Sequence, residues 1–207
     1  MIKVLVIDKH PVIFNGLEAF FKNSRNIKIV GHTTDAASIN TYLDTHQVDI
    51  ILTEIELKDL NGITLIKRIK KQFPELKLIV FTSQAEHIYG SNIIKSGASG
   101  FVSKNQTLKE LDQAILSVYN NAIYISETLA KQLTVSPKKT SVSNDYKKLS
   151  SRELEVLSLI ANGKRNREIA KELVINEKTV STYKTRLMKK LNVTNLVELI
   201  KKAKQEI

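Results

Sequence analysis

The chain has 207 residues, 42% of them hydrophobic and 26% charged, a balance that suits one large folded domain, or an ordinary one with a small companion. It has no cysteine, which excludes disulfides and thiolate metal sites, and no apolar run near the ~20 residues that a membrane helix needs. Its net charge of +11 is uneven: residues 1–133 carry 15 Lys and Arg against 13 Asp and Glu, 134–147 carry 3 against 1, and 148–207 carry 14 against 7.

The N-terminus, MIKVLVIDKH, reads as a strand with an acidic end and not as a signal sequence, so a cytoplasmic protein is expected, with no membrane partner. Short apolar runs follow one another at Lys3–Ile7, Lys28–His32, Ile50–Thr53, Lys77–Phe81 and Gly100–Ser103, the second weakened by Lys28 and Gly31. Between them the apolar spacing is near 3.6, as in Ile13, Leu17, Phe20 and Phe21, or Ile63, Ile66 and Ile69. Pro11 suits a first helical position, and Thr107 with Glu110 makes a capping box. Five strands alternating with five helices predict an α/β fold, a doubly wound five-stranded parallel sheet. A trailing helix is expected over Ser126–Leu133, and a Ser/Thr/Lys-rich linker over 134–147.

From Leu149 onward the pattern is that of a small all-α domain, residues 148–207. Ser150 and Glu153 form a capping box, with Leu149 and Leu154 as its hydrophobic staple. Gly163 stands where a helix ends, a second helix is predicted from Asn166 to Leu173, and a third opens after Asn176. A fourth begins near Thr194, with Leu196, Leu199, Ile200 and Ala203 on one face.

On the wheel of the third helix, Val180, Leu187 and Leu191 fall together, flanked by Tyr183 and Lys184. Lys178, Thr182, Thr185 and Lys189 fall opposite, with Ser181 and Arg186 at the edges. Cations for phosphates and guanine edges, and short hydroxyls for versatile base contacts, are what a major-groove helix needs. Free amides after Asn176 could also meet a phosphate. The same pattern fits an ordinary amphipathic helix, and charge alone leaves both a polyanion partner and solvated lysines open.

The order of parts adds to this. SRELEVL, NREIAKEL and EKTVSTYKTRLMKKLNV resemble the four-helix helix-turn-helix module of LuxR-type regulators across residues 148–207. The resemblance implies that Ser181, Thr182 and Thr185 face bases, that Lys178, Lys184 and Lys189 lie near the DNA backbone, and that the fourth helix is a dimer contact. Tyr183 departs from the family, where His is common.

In a doubly wound sheet, chemistry collects at the carboxyl ends of the strands. Those ends hold Asp8 and Lys9, then Glu54, Thr82 and Lys104. With VLVIDKHPVIFNGL, VDIILTEIELKDLNG, LIVFTSQ and SGASGFVSK, residues 1 to about 120 resemble the receiver domain of response regulators of the NarL/FixJ type, flavodoxin-like in fold. The resemblance implies an Asp that accepts a phosphoryl group, two further acids that help bind Mg²⁺, and a Thr and a Lys that hold the phosphate. Asp8, Thr82 and Lys104 match. Lys9 stands where the second acid belongs, Glu54 where the acceptor belongs, and Lys58 where a Pro is frequent; Gly62, eight residues past Glu54, fixes the register.

Lys9 places an ammonium where a dication should sit, and Glu54 moves its carboxylate out by one methylene, which spoils an in-line attack. The site is therefore read as degenerate: Glu54 is a fixed phosphate mimic that extends toward Thr82 and Lys104, with Lys9 pairing to it in place of metal. A dead site kept as a dimerisation platform, and residual phosphorylation on Glu54 helped by Glu56 or Asp59, are the alternatives. Phe101 stands at an aromatic switch position that is equally plain core, and the four His show no ligand spacing. The expectation is a sequence-specific DNA-binding transcription regulator, not an enzyme, with no cofactor and no metal. Its expected partners are double-stranded DNA, a second copy and RNA polymerase. An adaptor that pairs with another regulator is the rival from a different class.

Overall fold

The computed structural model describes residues 1–34, 38–57, 61–134 and 145–206. Lys58 and Asp59, and linker residues 135–144, lie outside the described residues. Contacts divide the chain into two compact units, Met1–Gln84 with Ile93–Ala130, and Ala85–Asn92 with Lys131–Ile207.

Five strands form one parallel sheet: β1 (Ile2–Ile7), β2 (Ile27–Thr33), β3 (Ile50–Thr53), β4 (Lys77–Thr82) and β5 (Gly100–Ser103), in the order β2-β1-β3-β4-β5. Helices α1 (Pro11–Phe21), α2 (Ser38–Thr45), α3 (Gly62–Gln72), α4 (Glu86–Lys95) and α5 (Leu108–Tyr119) alternate with them. Val4, Val6, Ile50, Leu52, Ile79 and Phe81 face one way and pack with Leu17 and Phe21 of α1 and Leu111, Ile115 and Val118 of α5. Their neighbours Leu5, Ile7, Ile51, Leu78 and Val80 point the other way by the period of two and are buried as well. Burial on both faces explains why these strands read as unbroken apolar runs. Gly31 lies at a register shift, where Val4 pairs with Ile29 but Leu5 with Gly31. That bulge is why the second strand is faint in the sequence.

Pro11 is the first residue of α1, and the Thr107 capping box of α5 is formed. Helix α6 (Glu127–Thr134) opens on Ser126, whose Oγ accepts from the Leu129 amide at 3.1 Å.

The second unit holds α7 (Ser151–Ala161), α8 (Asn166–Glu172), α9 (Glu177–Leu191) and α10 (Leu196–Glu206). Ser150 and Glu153 cap α7 reciprocally, and Gly163 follows it at φ +77°, a left-handed position that a side chain would strain. Leu154, Leu157, Ile169, Val180, Leu187, Leu191 and Leu199 form its core. Tyr146, which the sequence reading leaves in the linker, lies in a 3₁₀ turn (Tyr146–Lys148) with 1% exposure, and its hydroxyl donates to the Lys202 carbonyl at 3.0 Å. Among the described residues no helix is long and apolar enough to cross a membrane.

Candidate functional site

The sheet order reverses beside β1, and chemistry gathers at the carboxyl ends of the strands there. Backbone bonds carry the ladder one residue past each strand: the Asp8 amide donates to Thr33, that of Glu54 to Ile7, and that of Lys104 to Thr82. These residues are thereby fixed at one edge. Gly62 opens α3 against this edge; a Cβ there would lie 2.7 Å from the Glu54 carbonyl oxygen and from the Ile55 Cα. Only glycine fits that approach, which is why its spacing from Glu54 marks the register.

Lys104 joins the two acids. Its Nζ donates to Asp8 Oδ2 at 2.6 Å and to Glu54 Oε2 at 2.5 Å, with Asp8 2% and Glu54 5% exposed. Burial disfavours the ammonium, yet the hydrogen bonds to Asp8 and Glu54, with their charges, outweigh it and raise the Lys104 pKa above the ordinary lysine value. Asp8 Oδ1 accepts from the His10 amide at 2.8 Å and lies 3.0 Å from His10 Nδ1.

Two expected contacts differ. Lys9 does not pair with Glu54; its Nζ lies 3.6 Å from Glu56 Oε2, and Glu56 also accepts from Gln84 at 3.0 Å. Lys104 already occupies the outer oxygen of Glu54, so the half-exposed Lys9 reaches the next carboxylate along. Glu54 meets Lys104 but bends its other oxygen, Oε1, back to the amides of Ile55 (2.5 Å) and Glu56 (3.3 Å). The Thr82 hydroxyl instead accepts from the Gln84 amide at 3.2 Å. The expected anion is thus bound at its lysine end and is turned from its threonine end.

These residues do not fit Mg²⁺. The two carboxylates that would bind it are bridged by an ammonium, and Lys9 stands beside them in place of a third hard oxygen ligand. Among the described residues, no three His, Cys, Asp or Glu side chains are grouped to hold a metal. Phe101 is buried.

The second candidate surface is α9. Asn176 caps it, its Oδ1 accepting from the Thr179 amide at 2.7 Å. Val180, Leu187 and Leu191 are buried, whereas Lys178, Ser181, Thr182, Thr185, Arg186 and Lys189 are exposed, so six of the seven expected contact residues share an outward surface. Lys184 differs. It is half-buried, and desolvation lowers its pKa, because its stem follows the apolar boundary of the helix. The sequence reading missed Asn166, the first residue of α8, whose Nδ2 donates to Ser181 Oγ at 3.2 Å. No local pattern signals a bond between side chains 15 residues apart on two different helices.

On the other side of α9, Lys190 Nζ reaches Glu153 Oε2 at 2.7 Å. Burial opposes the charge on Glu153, but hydrogen bonds from Lys190 and Ser150 prevail and hold its pKa below the ordinary value. The cap of α7 and the body of α9 are thus tied by one carboxylate.

The response-regulator receiver domain family matches residues 4–116, and the LuxR family of bacterial regulatory proteins matches residues 147–203. The Fimbriae Z protein of Salmonella typhimurium is 34% identical over 203 residues, 97% of this chain and 95% of that protein. RcsB from Salmonella enterica serovar Typhimurium, solved bound to promoter rprA with the phosphomimetic BeF3−, is 28% identical, with a TM-score of 0.80 over 100% of both chains. A structure of two RcsB dimers bound to two parallel DNAs matches with a TM-score of 0.61 at 28% identity, over 97% of this chain and 96% of that one.

Proposed function

This chain belongs to the response regulators that join a receiver domain to a LuxR-type helix-turn-helix module, a family of DNA-binding transcription regulators, and we propose that it binds specific double-stranded DNA as a dimer without phosphotransfer to its receiver. The bridge of Lys104 between Asp8 and Glu54 carries the finer part of this reading. A phosphoryl group held at this edge would offer its oxygens to Lys104; Glu54, longer than Asp by one methylene, offers a carboxylate oxygen permanently. Lys9 opposes the dication that phosphotransfer needs.

The DNA-binding part rests on α9, which buries Val180, Leu187 and Leu191 and turns cations and short hydroxyls outward. RcsB, similar along its whole length, is solved on promoter DNA and as dimers on DNA. Exposed Leu196 and Val197 on α10 supply an apolar patch suited to a second copy, and two-fold pairing would place two α9 helices on a palindromic site. RNA polymerase is the further partner that a regulator bound at a promoter would meet.

The test is selection of bound sequences from random duplexes by the purified full chain. A dyad-symmetric site bound with steep salt dependence supports the reading. Salt-independent binding, or binding to no duplex at all, supports an adaptor instead.

A further inference from the structure

Three hydroxyls share the outward surface of α9, and each gives its proton to the helix itself. Ser181 Oγ donates to the Glu177 carbonyl at 3.1 Å, Thr182 Oγ1 to that of Lys178 at 3.0 Å, and Thr185 Oγ1 to that of Ser181 at 3.2 Å. A hydroxyl has one proton and two lone pairs, so what each turns outward is an acceptor. Ser181 is committed further: Asn166 Nδ2 donates to its oxygen at 3.2 Å, which leaves one lone pair and ties its rotamer to α8.

The exposed cations of the same surface, Lys178, Arg186 and Lys189, can only donate. The surface therefore divides its chemistry: its charged groups are its donors and its hydroxyls are its acceptors. In the major groove the donors available to a hydroxyl acceptor are the 6-amino group of adenine and the 4-amino group of cytosine. Guanine and thymine oxygens, and purine N7, fall to Lys and Arg.

Resting on the DNA-binding reading above, we propose that Ser181, Thr182 and Thr185 recognise exocyclic amines of adenine or cytosine, and that Asn166 is a positioning residue that holds Ser181 in this polarity. Turning a hydroxyl proton toward a base would break its bond to the helix carbonyl. At Ser181 it would also have to preserve the acceptance from Asn166. Ser181 is thus the most strictly polarised of the three.

The experiment uses the full chain and the site it selects. If no sequence is enriched, the DNA-binding reading fails and takes this inference with it; an enriched site separates the two. Selection with Ser181→Ala, Thr182→Ala and Thr185→Ala then maps the base pairs that each hydroxyl reads. On wild-type protein, replacing the mapped adenine by purine, or the mapped cytosine by pyrimidin-2-one, removes only the amine and should weaken binding about fivefold or more. The matching alanine variant should be indifferent to that change, and Asn166→Ala should relax preference at the Ser181 position while leaving the Thr185 position intact. Should an alanine variant fail to fold, scanning every adenine and cytosine amine of the site with wild-type protein still decides. Indifference of wild-type protein to every amine, or sensitivity at the mapped pairs only to loss of purine N7 through 7-deazapurine, would overturn the proposal.

Discussion

Lys104 and Glu54 follow β5 and β3, two strands separated by β4 and 50 residues apart in sequence, and their side chains meet at 2.5 Å at an edge of the sheet where both are largely buried. Asp8 shares the same ammonium at 2.6 Å. One cation therefore bridges two acids that would otherwise repel each other, offsetting one of their two charges.

Removing that cation should be costly. Lys104→Met leaves two adjacent carboxylates in low dielectric and should destabilise the first unit by about 3 kcal/mol, read from urea denaturation near neutral pH. The Lys104 pKa is raised on folding, so its contribution is complete below the unfolded value of about 10.4 and is lost as pH rises through the folded one. Glu153, whose pKa is lowered, contributes above the ordinary carboxylate value of about 4.3 and loses that contribution as pH falls through its folded pKa.

The turn between α8 and α9 contains a strained residue. Val174 has φ +52° and is 89% exposed, so its β-branched side chain gains little burial in return for a left-handed backbone. Val174→Asn should stabilise the protein by about 1 kcal/mol in thermal or urea unfolding. A loss of stability would mean that the isopropyl group makes contacts in the folded chain.

Readout and anchoring should separate on α9. Thr182 is short and outward, so Thr182→Ala should weaken the preferred site by about 1–3 kcal/mol and relax sequence preference. Lys189→Ala should weaken all sequences alike and lower the salt slope by roughly one unit. Equal loss of specific and nonspecific binding in Thr182→Ala would show that another surface reads bases. Both variants are to be compared with wild type by melting first.

Much of this was legible in the sequence for a physical reason. Strands buried on both faces are apolar throughout, and capping boxes such as Thr107–Glu110 and Ser150–Glu153 announce helix starts locally. The positions of Asp8, Glu54, Thr82 and Lys104 followed from strand ends alone. Partners did not. Lys9 has a long, rotatable side chain, and which carboxylate it meets depends on Lys104, 95 residues away, having already taken Glu54. Tyr146 sits in a polar run without periodicity, and its burial depends on a helix that ends the chain. The Asn166–Ser181 bond likewise depends on how two helices cross.

The central claim is regulation without phosphotransfer, and one measurement tests it most directly. The full chain is incubated with Mg²⁺ and a small-molecule phosphodonor, and intact mass and DNA affinity are read on the same sample. As a positive control, the double variant Lys9→Asp with Glu54→Asp restores the missing acid and shortens the acceptor, and should gain one acid- and base-labile phosphate. The wild-type protein is predicted to keep its mass and its DNA affinity unchanged. A gain of one phosphate by wild-type protein, accompanied by tighter DNA binding, would contradict the account.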